Sequence, residues 1–185
     1  FKSVTSSEDG AFQLGTIDCL DMDLLPANLP FGRVLAKAGD AAYRFVERAT
    51  TLAIDRKIHA ICTAPLSKEA LCLGGHCYPG HTEILAELCG VEEYAMMFSS
   101  PKLNVILVTT HVGLVESVNL VTTERVIHVI QLGAHAMQQL GGGKPKIAVC
   151  GINPHAGESG MFGRKEEEMR IIPAIEHMKE KGLNI

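Results

Sequence analysis

Lys146-Ile-Ala-Val-Cys-Gly-Ile-Asn-Pro-His155-Ala-Gly-Glu158-Ser-Gly is the stretch on which the reading of this chain turns. It opens as a short apolar run, breaks at Gly151, and presents Asn153, His155 and Glu158 on a loop bounded by glycines. Apolar strands that end in polar, titratable loops are where α/β proteins place ligands. Two other apolar runs end the same way. Residues 58–63 lead into Thr63-Ala-Pro-Leu-Ser-Lys68, and residues 103–109 lead into Thr109-Thr-His111. If the three strands are parallel, the three polar clusters share one carboxyl edge of a sheet, the expected ligand crevice.

Outward from that stretch, strands and helices alternate. The spacing predicts strands in 12–22, 58–63, 94–99, 103–109 and 145–150. It predicts helices over about 39–56, 67–73, 81–90, 122–140 and 165–181. Ala42, Phe45, Val46, Ala49, Leu52 and Ala53 form an apolar stripe on the first long helix, and Val126, Ile130, Met137 and Leu140 form another on the fourth. Thr122 or Thr123 is placed to cap the start of that helix, Gly90 to end the third, and Gly141-Gly-Gly to end the fourth. Residues 166–168 are glutamates at the start of the last helix, where they suit the positive end of its dipole. The alternation indicates an α/β class with a largely parallel sheet.

The 185 residues are 46% apolar and 21% charged, with no tryptophan, so the core rests on aliphatic side chains. A net charge of −4 leaves no general footprint for nucleic acid or an acidic membrane. No apolar run reaches the roughly 18 residues of a membrane span, and no signal peptide is visible, so a cytoplasmic location is expected. The six cysteines are scattered in apolar stretches and read as reduced, buried small hydrophobes. The start at Phe1 and the strand-like end Gly182-Leu-Asn-Ile185 suggest a piece of a longer chain.

Several residue types carry chemistry. His111 and His155 could supply two imidazoles to a divalent metal, or each could be a hydrogen-bonded loop histidine. His81 and Thr82 follow Pro79-Gly80 at a helix start, where outward amides attract phosphate; a simple helix cap is the alternative. Lys68 could pair with a phosphate or carboxylate, or stay solvated. Asn153 and Glu158 accompany His155 on its loop. Cys72, His76, Cys77 and His81 match no common structural zinc spacing. His59, His128, His135 and His177 read as surface or satisfied histidines.

Longer motifs then decide among these readings. Thr63-Ala-Pro-Leu-Ser-Lys-Glu-Ala70, Tyr78-Pro-Gly-His-Thr-Glu-Ile-Leu-Ala-Glu-Leu88, Val108-Thr-Thr-His111, Gly151-Ile-Asn-Pro-His-Ala-Gly-Glu158 and Phe162-Gly-Arg-Lys-Glu-Glu-Glu resemble the 4-hydroxythreonine-4-phosphate dehydrogenase family of pyridoxine biosynthesis. The resemblance implies a fold like isocitrate and isopropylmalate dehydrogenases: two α/β lobes with a mostly parallel sheet, incomplete in this chain. Residues 1–80 would be the remainder of the first lobe and 81–185 most of the second, with the dimer contact. It implies NAD-dependent and divalent-metal-dependent oxidation of 4-phosphooxy-L-threonine, then decarboxylation to 3-amino-2-oxopropyl phosphate. Dehydrogenation of 4-phospho-threonate or 4-phospho-erythronate is the alternative, as is a catalytically incompetent fragment. A metal-dependent hydrolase rests only on the paired histidines.

By the same resemblance, His111 and His155 are metal ligands and His81 and Thr82 bind substrate. Zinc is the expected metal, with cobalt or magnesium as alternatives, and the protein is a homodimer with its active site near the interface. The family's Gly-Asp-Pro-Ala-Gly segment is not found here, and the third metal histidine, in a His-Asp-Gln-Gly motif, is expected beyond residue 185. The chain alone is therefore expected to bind metal weakly and to turn over little substrate.

Overall fold

The computed structural model describes residues 1–141 and 143–185, which form two compact units, Phe1–Glu92 and Glu93–Ile185.

In the first unit, β1 (Lys2–Val4) pairs in parallel with β2 (Asp18–Leu20), with Ser3 opposite Cys19. The helix α1 (Ala36–Ile54) crosses α2 (Lys68–Leu73) at Gly39. A Cβ there would lie 1.8 Å from the Ala70 carbonyl oxygen, so only glycine lets the two backbones approach this closely. Ser67 caps α2, its hydroxyl accepting from the Ala70 amide at 3.2 Å. The helix α3 (His81–Leu88) starts at Gly80 and is closed after Cys89 by Val91 N–H donating to Ala86 O. Val46, Leu71 and Ile84 are buried between these helices, with Tyr43, Leu66, Tyr78, Leu85 and Leu88 around them. The stripe on α1 is only partly core: Val46 is buried, while Phe45 is 45% exposed and, with Ala42 and Ala49, lines a groove.

In the second unit, β3 (Met97–Phe98) and β4 (Val105–Ile106) form a short antiparallel hairpin. The helix α4 (Leu114–Leu120), which the pattern did not announce, follows Gly113. The helix α5 (Thr123–Gln139) starts at Thr122, whose hydroxyl accepts from the Arg125 amide, and ends before Gly141; of the three-glycine stop, Gly142 lies outside the described residues. The final helical region begins as a π-helical turn (Glu167–Ile171) and continues as α6 (Ile172–Glu180). The Ile172 amide bonds to Glu167 O, five residues back, and Pro173 follows with no amide to donate. Val126, Ile130, Ile171, Ala174 and Met178 make the core, with Ile147, Val149 and Ile152 against it.

The α/β class stands, yet the sheets are far smaller than the pattern predicts. Residues 58–63 form no strand and no ladder among the described residues. Residues 145–150 make a single parallel bridge, Lys146 to Asn184, which is the strand-like end expected at 182–185. The segment 103–109 narrows to β4 and runs antiparallel to β3, so the common parallel edge inferred for the three loops is not formed by the described strands. Apolar runs announce burial, but ladders need neighbours, and those neighbours are not within this chain's described sheets. The cysteine expectation also needs correction. Cys72 and Cys77 are disulfide-bonded across the turn that follows α2, and the four others are exposed rather than buried.

Candidate active site

The His155 loop is built from the second unit's core outward. Ile147, Val149 and Ile152 pack on the buried cluster of α5 and α6, so the run enters the loop from a fixed base. Beyond Pro154 the backbone is unusual. His155 (φ 52°), Ala156 (52°), Glu158 (44°) and Ser159 (57°) all lie in the left-handed region, with Gly157 at 77° among them. Each non-glycine residue there costs roughly 1–2 kcal/mol, so the loop needs outside support.

Two glutamates supply it. Glu167, 3% exposed, accepts from the Ile152 amide at 2.8 Å and the Asn153 amide at 2.7 Å through Oε1. Its Oε2 accepts from Asn153 Nδ2 at 3.0 Å. Glu166, also buried, accepts from Asn153 Nδ2 at 3.0 Å and from the Arg164 amide at 2.7 Å. The Arg164 amide first, then further hydrogen bonds, hold the Glu166 carboxyl below its usual range despite burial and the neighbouring charge. For Glu167 burial is the largest influence and pushes upward, but the bonds from Asn153 and Ile152 together outweigh it and the net shift is down. Both side chains are therefore carboxylates at neutral pH.

Asn153 is thus half-buried, with its backbone and side-chain N–H groups held by the two glutamates, while His155 and Glu158 stand exposed on the loop. His111 is exposed and also left-handed, at φ 58°. The base of its loop is fixed by Arg125, which donates from Nε to Val108 O at 2.9 Å and from Nη2 to Tyr94 O at 2.8 Å, and pairs with Glu93 at 3.1 Å. Among the described residues no three His, Cys, Asp or Glu side chains converge into a metal cage. The donor chemistry of His111 and His155, two imidazoles on exposed loops of one unit, suits part of a divalent-metal shell and not a closed one.

In the first unit, His81 begins α3 and borders a groove of about 280 Å³ with Thr63, Pro65, Phe45 and Val46. The first bond into the helix is Ile84 N–H to Gly80 O, so the amides of His81, Thr82 and Glu83 precede the helical ladder. Lys68 is exposed on the first turn of α2. His76 sits between the bonded cysteines: its Nε2 meets Asp40 Oδ1 at 2.9 Å, and its ring stacks on Tyr43 at 3.8 Å between centroids. The His76 hydrogen bond, with Arg44 next, holds the Asp40 carboxyl low. His128 pairs with Glu93 at 3.1 Å, a satisfied surface histidine as read from its helix position.

Sequence reasoning missed the clamp. Glu166 and Glu167 read as dipole partners of a helix, whereas Glu167 lies in the π turn and reaches back to the loop. The signal was their place directly after a glycine-bounded loop that had no visible internal support.

α/β proteins place small-ligand sites at loop ends of the kind seen in each unit, a strained histidine loop on a buried carboxylate clamp in one and a helix start beside a groove in the other. Residues 1–185 match the family model PdxA, pyridoxal phosphate biosynthetic protein, and the chain belongs to that family. It is 52% identical over 184 residues to the D-threonate 4-phosphate dehydrogenase of Cupriavidus necator, covering 100% of this chain and 55% of that protein. It is 43% identical over 163 residues to the 4-hydroxythreonine-4-phosphate dehydrogenase of Trichlorobacter lovleyi, covering 88% and 48%. A crystal structure of 4-hydroxythreonine-4-phosphate dehydrogenase from Klebsiella pneumoniae superposes with a TM-score of 0.92 at 42% identity, over 99% of this chain and 56% of that one. The chain spans about half the length of the relatives it matches.

Proposed function

We propose that the protein bearing this chain is an NAD-dependent dehydrogenase of a phosphorylated four-carbon hydroxy acid, with D-threonate 4-phosphate as the first candidate substrate. The observation that carries the reading is the 52% identity over the whole chain to a D-threonate 4-phosphate dehydrogenase. The lower identity to a 4-hydroxythreonine-4-phosphate dehydrogenase makes the aminated acid the second candidate.

In this reading His111 and His155 hold a divalent metal, zinc before cobalt or magnesium, together with a further donor. Such a metal would supply Lewis-acid polarisation of the substrate alcohol, and a bound nicotinamide would supply the hydride acceptor. Oxidation of the C3 alcohol leaves a β-keto acid, which loses carbon dioxide; from D-threonate 4-phosphate the product is a phosphorylated dihydroxyacetone. His81, Thr82 and the amides that open α3 bind an anionic end of the substrate. Lys68, one turn from the Thr63 segment, adds a positive charge for the phosphate. The clamp of Glu166 and Glu167 keeps Asn153 and His155 placed. A homodimer with the site near its interface is part of the same proposal.

The test is a substrate panel with the complete protein: D-threonate 4-phosphate, 4-phosphooxy-L-threonine and D-erythronate 4-phosphate, each with NAD and followed at the absorbance of NADH. The expected result is NADH formation with at least one of them, abolished by a chelator and by His155→Ala. Inorganic phosphate released with no NADH formed would replace the reading with a hydrolase.

A further inference from the structure

We infer that Glu167 is the positioning residue for His155, acting through the backbone of the loop and not through the imidazole itself. This rests on the reading of His155 as a metal ligand. The carboxylate touches the loop on both sides of the histidine. Upstream, Oε1 accepts from the Ile152 and Asn153 amides at 2.8 and 2.7 Å. Downstream, Gly157 comes so near that a Cβ on it would lie 2.9 Å from Oε2. The same oxygen accepts from Asn153 Nδ2 at 3.0 Å. One buried carboxylate is therefore the template around which residues 152–157 fold.

That template is rigid. Glu167 opens the π turn, and the residues that follow it, Ile171, Ala174 and Met178, are 5%, 0% and 1% exposed in the unit's core. The loop itself is not rigid by its own chemistry. His155, Ala156, Glu158 and Ser159 are left-handed without being glycine, a conformation L residues keep only when the surroundings enforce it. Remove the acceptor and two backbone amides and one side-chain amide are left without it, and the left-handed run relaxes toward ordinary backbone. His155 then leaves the place where it can ligate. Metal histidines are usually oriented by a group bonded to the other nitrogen of the ring; here the Glu167 carboxylate grips the peptide on either side of the histidine instead.

The experiment titrates Co(II) into this 185-residue chain and follows its visible absorption and the His155 ring signals by NMR, with the melting temperature recorded for every variant. Glu167→Gln places an amide donor where Asn153 Nδ2 also donates. It is expected to weaken cobalt affinity roughly 10-fold or more, as loss of a group that orients a metal ligand does elsewhere, and to move the His155 ring signals in the metal-free protein. Met178→Ala, a core variant of the same unit, is expected to lower the melting temperature with affinity kept within about twofold. Gly157→Ala attacks the same contact from the loop side and is expected to act like Glu167→Gln, which covers the case in which the glutamate variant does not fold. Unchanged affinity and unchanged His155 signals in Glu167→Gln or Gly157→Ala would overturn the inference, as would an equal loss in Met178→Ala. If His155→Ala leaves cobalt affinity intact, the ligand reading fails; the positioning of His155 by Glu167 is then decided by the metal-free ring signals alone.

Discussion

At the scale of single residues, the site depends on two carboxylates that a residue-by-residue reading places elsewhere. Glu167 makes three hydrogen bonds while 3% exposed, so Glu167→Ala strands the Ile152 and Asn153 amides and leaves Asn153 Nδ2 with Glu166 alone. The expected cost is about 2–4 kcal/mol, read from the shift of a urea unfolding curve. The pair also gives the protein a signature in acid. Folding lowers both carboxyls, so the folded state favours the charged form. Their contribution is complete above the unfolded-state value of about 4.3 and disappears as pH falls through the lower folded values. Urea midpoints measured between pH 5 and 3 should therefore fall more steeply in the parent chain than in Glu167→Gln. An equal slope would mean that the clamp is not ionised in the folded protein. In the first unit, Tyr78 behaves oppositely: its hydrogen bond to Glu87, with burial, raises its hydroxyl to about 12, so it stays neutral throughout the working range.

Among the secondary-structure elements, helices were the part of the fold most open to reading from sequence. A 3.6-residue stripe reports on one element and its own buried face, and Val126, Ile130 and the Thr122 cap are where the pattern puts them. Thr122→Ala should cost about 1 kcal/mol in thermal unfolding, the usual worth of such a cap. Strands were far less open. The apolar runs 58–63 and 145–150 satisfy the pattern of a buried strand, but pairing depends on what lies alongside, which the run itself does not encode. The crossing of α1 and α2 was hidden for a similar reason, since Gly39 looks like a weak point in a helix until Ala70 is seen against it. Gly39→Ala should cost about 3 kcal/mol or more, because a backbone carbonyl cannot move aside as a side chain would. A melting temperature unchanged by that substitution would contradict the close crossing. The His155 loop stands between these cases. Its chemistry could be read from Asn153, Pro154 and His155 in order, but its left-handed geometry could not, because the enforcing group lies a dozen residues away.

For the molecule as a whole, the chain holds two compact units: the helix start proposed to bind an anion lies in the first, and the histidine loops proposed to hold metal lie in the second. With two imidazoles and no third ligating side chain among the described residues, the 185-residue chain is expected to give little or no NADH from any substrate in the panel. Sustained turnover by this chain alone would contradict a metal shell completed elsewhere. The disulfide between Cys72 and Cys77 divides the two units in another way. It closes a ring of few residues, so its loss removes about 2 kcal/mol by the loop-entropy account, and only from the unit that contains it. The six sulfurs therefore form two populations. An alkylating reagent applied to the native protein should add four labels, at Cys19, Cys62, Cys89 and Cys150, and six only after a reductant is supplied. The buffer's thiol content thus becomes a chemical handle on the first unit alone, the unit in which the bonded pair lies.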